Sequence, residues 1–359
     1  MGRVTRLAVA CGGTGGHLYP GIAVVGAFRA SGSDIEVLFV GTAGGMEARL
    51  IPEKGFQFAA VSASGFVGKG TGARLTALWR VSRGFFEARR LLRRFSPHLV
   101  IGVGGYVSVP VILASVFLRI PRVILEPNAR PGLANRLLAP FCSLIVVAFE
   151  GSRRYLRSRG VRVLGIPVRS EILAVRREAK GHLTLLVLGG SQGAQAINRT
   201  LVAALPLLEP LKERLMIIHQ TGNKDFEWVQ SAYRAAAPRA RVQPFIDDMA
   251  SVYAQADLVV GRSGAGTLGE LTALGLPSIL IPFPHAAGHQ EDNAREVERA
   301  GGARVLLQSE LSPEKLAGAV MELLSDPERL SRMGEAAGRL GKPRAAEEIV
   351  EACKGLLEP

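Results

Sequence analysis

A chain of 359 residues, 48% hydrophobic and 21% charged, has the length of about two domains and the composition of ordinary globular cores, which excludes a fibrous or disordered protein. Its formal net charge of +13 calls for an anionic partner: nucleic acid, acidic lipid or a phosphorylated metabolite. Cys11, Cys142 and Cys353 lie far apart, offer no metal-ligand pair or disulfide framework, and fit a reducing cytoplasm.

The first apolar run, Leu7–Ala10, is too short for the roughly 7–15-residue core of a secretion signal and reads as a strand. It runs directly into Gly12, Gly13, Thr14, Gly15, Gly16 and His17. A second strand is expected at Val37–Val40. The stretch Lys69–Arg94 carries eight Lys/Arg and one acidic residue, interleaved with Leu75, Leu78, Trp79, Phe85 and Phe86. Leu99–Leu118 contains no charge and matches a membrane span of about 20 residues in length, but Gly102, Gly104, Gly105, Ser108 and Pro110 interrupt it. It therefore reads as a strand (Leu99–Val103), a glycine loop and a buried helix, with no transmembrane segment. Strands follow at Arg122–Leu125 and Leu144–Ala148.

Gly165–Arg169 (G-I-P-V-R) punctuates a change of pattern. A second set of strands is expected at Leu183–Leu188, Leu215–His219, Ala240–Pro244, Leu258–Val260 and Ser278–Ile281. Strands alternating with helical patterns give an α/β protein with two Rossmann-like parallel-sheet domains, 1–164 and 165–340. Arg339–Pro359 reads as one terminal helix following Lys342 and Pro343. Sequence allows it to pack on either domain, and the expected arrangement returns residues 341–359 to the first.

Three turns share one design, a strand, a glycine-rich turn and a helix start: Gly12–His17, Gly102–Ser108 and Gly189–Ala194. Free backbone N–H groups and the helix dipole make such turns phosphate seats, although glycine also simply permits a tight turn. No lysine follows the glycines as a Walker loop needs, and Gly13–Leu18 lacks the third glycine of a dinucleotide fingerprint. The second strand ends Val40-Gly41-Thr42, without the acid that would hold an NAD ribose. The strongest segment is Val259–Gly275: Ser263 can cap, Gly264 and Gly266 keep the helix start open, and Glu270 follows about two turns in. That reads as a seat for a diphosphate, with a carboxylate able to accept two ribose hydroxyls, although Glu270 taken alone reads as a helix-surface charge.

These residues resemble the GT-B glycosyltransferases, and within them the bacterial enzymes that add N-acetylglucosamine to undecaprenyl-diphospho-MurNAc-pentapeptide. The resemblance covers nearly the whole chain: Gly12–His17, Gly104–Ser108, Glu126 with Asn128, Gly165–Arg169, Gly189–Ala194, Phe245–Met249, Arg262–Glu270 and Pro282–Asn293. It implies two Rossmann-like domains facing a cleft and an inverting transfer of GlcNAc from UDP-GlcNAc to O4 of MurNAc, the lipid I to lipid II step of peptidoglycan synthesis. It implies that Ile246 meets the uracil and Glu270 the ribose. Ser191, Arg169 and the Ala265–Gly266–Thr267 helix start face the diphosphate. Gln290 and Asn128 contact the sugar, and Thr14, Gly15 and Gly16 lie near the reaction centre. Gly13, Gly104, Gly105 and Tyr106 become acceptor-phosphate loops, with Tyr106 equally able to cover the glycine loop. Leu125, Pro127, Ile166, Gly269 and His289 depart from the family pattern.

The attacking hydroxyl must lose a proton, and the leaving diphosphate must be stabilised. His17 suits the base by its intrinsic pKa, or else donates to acceptor phosphate; Glu126 is the alternative base. No Asp-x-Asp motif is present, since Asp247 and Asp248 are adjacent, so no required metal or other cofactor is expected. His219 reads as structural, and His285 and His289 show no metal spacing. The basic and aromatic run, with Arg89 and Arg90, reads as a contact for an anionic membrane and so for the cytoplasmic face of the inner membrane, or else as an ordinary amphipathic helix. No helix-turn-helix, zinc or RNP pattern supports nucleic acid. Expected partners are UDP-GlcNAc, undecaprenyl-linked lipid I and cell-wall synthesis proteins. Two other readings are a different GT-B enzyme, such as an epimerase or antibiotic glycosyltransferase, and a silent sugar-nucleotide-binding module.

Overall fold

The structure, a computed structural model, describes residues 4–12, 15–63, 71–177, 180–190, 193–236, 239–285 and 288–357, with the backbone alone at 15, 71–78, 80 and 235. The chain divides into two units, Met1–Arg169 with Pro343–Pro359, and Ser170–Lys342.

The first unit runs β1 (Thr5–Ala10), α1 (Gly15–Ala30), β2 (Ile35–Gly41), α2 (Glu47–Glu53), β3 (Gln57–Ala60), α3 (Thr71–Phe95), β4 (Leu99–Gly102), α4 (Ser108–Phe117), β5 (Arg122–Glu126), α5 (Leu133–Leu138), β6 (Leu144–Val147) and β7 (Val161–Val163). The strands form one seven-stranded parallel sheet in the order β3-β2-β1-β4-β5-β6-β7. The central strands are apolar on both faces, as a sheet covered on both sides requires. Leu7 and Val9 enter one core layer, and Ala8 and Ala10 the other.

The second unit runs α6 (Ser170–Leu173), β8 (Leu183–Leu188), α7 (Gln195–Ala204), β9 (Leu215–Gln220), α8 (Phe226–Ala236), β10 (Ala240–Gln243), α9 (Met249–Gln255), β11 (Leu258–Gly261), α10 (Ala265–Ala273), β12 (Ser278–Leu280), α11 (His289–Arg299), β13 (Ala303–Val305), α12 (Pro313–Leu324) and α13 (Pro327–Leu340). Its six parallel strands are ordered β10-β9-β8-β11-β12-β13. The chain then returns to the first unit as α14 (Ala345–Lys354), which packs on α1 and places Ile349, Val350 and Cys353 in the core beside Leu7, Val9 and Phe28.

Three strands lie outside the sequence expectation: β3, β7 and β13, short and at or next to a sheet edge, with polar or partly exposed residues that break the apolar signal. The terminal helix is also shorter than expected. Arg339 and Leu340 close α13, and Gly341–Arg344 separate it from α14. Proline at 343 cannot continue a helix begun before it.

Candidate functional site

Each sheet reverses direction of growth once, between β1 and β4 in the first unit and between β8 and β11 in the second. Ligands of open α/β sheets bind beyond the carboxyl ends of strands at such switch points. The glycine-rich turns stand there.

In the first unit Ala10 pairs with Gly102, and Gly102 with Ile124, so the turns after β1 and β4 and Glu126 at the end of β5 lie side by side. Gly104 and Gly105 have φ of +102° and +76°, which side chains other than glycine's rarely adopt. A Cβ at Gly104 would stand 2.8 Å from His17 Cδ2, and one at Gly105 would stand 2.6 Å from the Gly12 carbonyl oxygen. The second turn thus presses on the imidazole of the first. Ser108 holds it there, accepting from Gly104 N at 3.2 Å and donating to Gly104 O at 2.8 Å. Tyr106 stands exposed at its tip. Gly15 and Gly16 open α1, while Gly13 and Thr14 lie outside the described residues.

Beneath the first turn, Glu47 is fully buried. Its Oε1 accepts from the backbone N and hydroxyl of Thr42, both at 2.9 Å. Burial first, and the Glu47 charge second, push the Cys11 thiol far above its ordinary range and disfavour the thiolate.

Glu126 is buried and takes four donors. Asn128 N and Nδ2 reach Oε1 at 2.9 and 3.0 Å, and Gly132 N and Asn135 Nδ2 reach Oε2, both at 2.9 Å. A carboxylate has about four lone-pair sites, and all are filled. The arrangement clamps the 127–132 loop. Asn128 is thereby fixed, and Ser152 Oγ donates to the neighbouring Ala129 carbonyl at 2.9 Å. The Arg169 guanidinium lies 4.5 Å from the centre of the Tyr19 ring, a cation–π contact.

In the second unit the turn after β8 has Gly190 and Gly193 at φ +77°, and a Cβ on Gly193 would stand 2.4 Å from the Thr221 carbonyl oxygen. Ser191 lies outside the described residues. Gln220 Nε2 donates to the Gly190 carbonyl at 2.8 Å. Behind this turn His219 is fully buried between the Tyr233 hydroxyl and Asn198 Oδ1, both at 3.0 Å. Asn198 Nδ2 donates onward to Asp225 Oδ2 at 2.8 Å and to the Thr221 carbonyl at 2.9 Å. Burial, which outweighs the Asp225 charge, pulls the His219 pKa down to about 3. Desolvation would raise the Asp225 pKa, but hydrogen bonds from Trp228, Asn198 and Gln195 win and hold it below its ordinary value.

The turn after β11 leads into α10, with Gly264 in extended backbone as its N-cap and Ala265, Gly266 and Thr267 as the first turn. Ser263 does not cap it. Its hydroxyl donates to the Gln290 carbonyl at 2.7 Å, and Gln290 Oε1 accepts from Phe283 N at 3.0 Å. The half-buried Glu270 receives the Tyr253 hydroxyl on Oε2 at 2.9 Å. Tyr253 was not foreseen, being 17 positions earlier on α9. Ile246 is buried beside the exposed Phe245, and Asp248 caps α9 by accepting from Ser251 N at 3.0 Å. Arg262 Nη1 donates to the Ile281 carbonyl at 3.0 Å, Nη2 donates to Gln308 Oε1 at 2.7 Å, and burial lowers its pKa to about 10.

Gly84, Ala88 and Leu92 turn α3 inward; a Cβ on Gly84 would fall 3.4 Å from Pro110 of α4. Trp79, Arg83, Phe86 and Arg90, spaced by four, three and four, face outward together, with Trp79 60% and Phe86 65% exposed. The ring of Phe85 bridges Phe86 and Phe117 at 5.3 and 5.2 Å, and Phe117 on α4 is 72% exposed, extending the patch beyond the segment read from sequence. Arg89 is half-buried, and the side chains of Leu75 and Leu78 lie outside the described residues. Among the described residues no helix is long and apolar enough to cross a membrane, and no three His, Cys, Asp or Glu form a metal-binding group.

Two parallel-sheet α/β domains, each with glycine-rich turns at its switch point, give the chain the GT-B fold. Residues 7–147 match the model of the glycosyltransferase family 28 N-terminal domain, and residues 184–349 that of the family's C-terminal domain. The chain belongs to glycosyltransferase family 28. It is 42% identical to the UDP-N-acetylglucosamine–N-acetylmuramyl-(pentapeptide) pyrophosphoryl-undecaprenol N-acetylglucosamine transferase of Thermodesulfovibrio yellowstonii, over 98% of this chain and 99% of that one. The enzyme of the same name from Anaeromyxobacter dehalogenans is 46% identical, over 98% and 93%. The crystal structure of Acinetobacter baumannii MurG superimposes with a TM-score of 0.79 at 30% identity, covering 98% of this chain and 99% of that one.

Proposed function

We propose that this protein transfers N-acetylglucosamine from UDP-GlcNAc to O4 of the MurNAc residue of undecaprenyl-diphospho-MurNAc-pentapeptide, with inversion and release of UDP. The observation that carries this reading is identity of 42–46% along essentially the whole chain to relatives named for that reaction.

The second unit supplies the donor chemistry. Glu270, held on one oxygen by Tyr253, presents its carboxylate to the ribose hydroxyls of UDP, and Ile246 lies under the uracil. The N–H groups at the start of α10 meet growing charge on the diphosphate as the C1–O bond breaks, together with Ser191 and Arg169. Gln290 and Asn128 orient the sugar. In the first unit the glycine turns at Gly13–Gly16 and Gly104–Tyr106 receive the acceptor. His17 takes the proton from the attacking O4, because Glu126 is already saturated by the loop it clamps. The reaction needs no metal, since leaving-group charge falls on protein dipoles and cations.

The outward stripe of Trp79, Arg83, Phe86 and Arg90, joined by Phe117, seats the enzyme on an anionic membrane at its cytoplasmic face. Aromatic side chains enter the lipid interface, and arginines are drawn to its negative charge. Binding to anionic vesicles falls with added salt and with Trp79→Glu or charge reversal at Arg89 and Arg90; equal binding to neutral vesicles would remove the electrostatic part. The reaction itself is tested by UDP release with and without a lipid I analogue. Release only with the acceptor is expected; consumption of UDP-GlcNAc at the same rate without it points to another GT-B chemistry.

A further inference from the structure

Asn135 sits on α5 with its side chain almost wholly buried. Its Nδ2 donates to Glu126 Oε2 at 2.9 Å and approaches the Leu125 carbonyl at 3.5 Å. An ionised carboxylate accepts only, so the amide orientation is fixed: nitrogen toward Glu126, Oδ1 away from it. That Oδ1 is buried and, among the described residues, has no hydrogen-bond partner. Folded interiors satisfy nearly all such atoms, so an unmatched one is a place where a donor can engage.

The His17 imidazole is a candidate donor close to this amide. The point above Gly104 where a Cβ would stand is 3.1 Å from His17 Nε2 and 3.8 Å from Asn135 Nδ2, so the imidazole and the amide border the same small space. Glycine keeps that space open. The other unit contains the completed arrangement. His219 meets Asn198 Oδ1 at 3.0 Å, and Asn198 Nδ2 meets Asp225 Oδ2 at 2.8 Å. There the amide nitrogen serves two acceptors, so Oδ1 must accept and His219 Nε2 must carry the hydrogen.

We propose that Asn135 is a positioning residue for His17. In the acceptor-bound enzyme its Oδ1 accepts the Nε2–H of the imidazole, while Glu126 holds the amide from the other side. The hydrogen bond selects the tautomer whose Nδ1 lone pair takes the proton. This rests on His17 being the base.

The test is a double-mutant cycle of Asn135→Leu and His17→Ala under saturating substrates, with the ¹⁵N spectrum of histidine-labelled enzyme bound to a lipid I analogue. The His17 signals are identified by their loss in His17→Ala. Asn135→Leu lowers kcat about tenfold or more and leaves the UDP-GlcNAc KM within about twofold. The double variant is no slower than His17→Ala, and wild-type His17 shows the Nε2–H form. A further tenfold loss in the double variant overturns the proposal while leaving His17 as base. Near-normal turnover of His17→Ala removes the base itself. Should Asn135→Leu fail to fold, the wild-type spectrum decides: an unprotonated Nε2 in the bound enzyme sinks the idea.

Discussion

Two histidines in this chain each lie near an asparagine that is hydrogen-bonded to a carboxylate, and they differ in how far the surroundings are closed. Around His219 every member is paired, through Tyr233, Asn198, Thr221 and Asp225, and the ring is fully buried. Around His17 the ring is only half-buried, it rests on glycine backbone, and the neighbouring asparagine oxygen is unmatched. The same residue types therefore make a neutral strut in one unit and a half-buried imidazole beside an unmatched amide oxygen in the other. Burial of the ring and the pairing of its neighbouring asparagine, not residue identity, separate the two settings.

The sharpest way to break this contrast is His17→Ala. Turnover at saturating substrate falls about 10²-fold or more, roughly 2.7 kcal/mol in the barrier, while urea stability stays within about 0.5 kcal/mol. Near-normal turnover would make the two histidines alike. Next comes Asn198→Ala, which strands the His219 N–H and the Thr221 carbonyl in the core. It costs about 2 kcal/mol of stability in denaturant titration and raises the UDP-GlcNAc KM, because the Gly189–Ala194 turn loses its backing.

The third follows from the His219 pKa of about 3. The unfolded chain binds this proton near pH 6.5, the folded chain only much lower. The unfolded state therefore holds more protons between those values, and stability rises with pH. Its contribution is complete above about pH 6.5 and is lost as pH falls toward 3, with a limiting slope of about 1.4 kcal/mol per pH unit. Subtracting the pH–stability curve of His219→Gln isolates it, and parallel curves would show that His219 is not held neutral. The smallest effect belongs to Tyr253→Phe, which deletes one hydrogen bond to Glu270 and weakens UDP binding by about 1 kcal/mol, read by calorimetric titration.

The sheets were legible because their central strands are buried on both faces: Leu7–Ala10, Leu185–Leu188 and Leu258–Val260 stand out as apolar runs leading into glycines. The edge strand Gln57–Ala60 and the short Val161–Val163 and Ala303–Val305 are partly exposed, and their mixed composition carries no such signal. Within the site, glycine turns announce themselves by composition, and Glu270 by its distance from a helix start. Their supports do not. Asn135 follows Pro131, Gly132 and Leu133 as one more helical residue, and only the folded 127–132 loop brings it to Glu126. Tyr253 reads as core until α9 and α10 come together. Ser263 resembles an N-cap in sequence, but extended Gly264 takes that position and turns the hydroxyl to Gln290.

The return of α14 to the first unit has a consequence for how the molecule is made. Ile349, Val350 and Cys353 fill a core whose other members leave the ribosome hundreds of residues earlier. Domains synthesised first ordinarily finish first. Here the continuous segment Ser170–Lys342 has all its own residues before the earlier-born unit receives its last helix. The first unit is begun first and finished last, so a chain cut short near its end leaves that unit, rather than the second, with an open core.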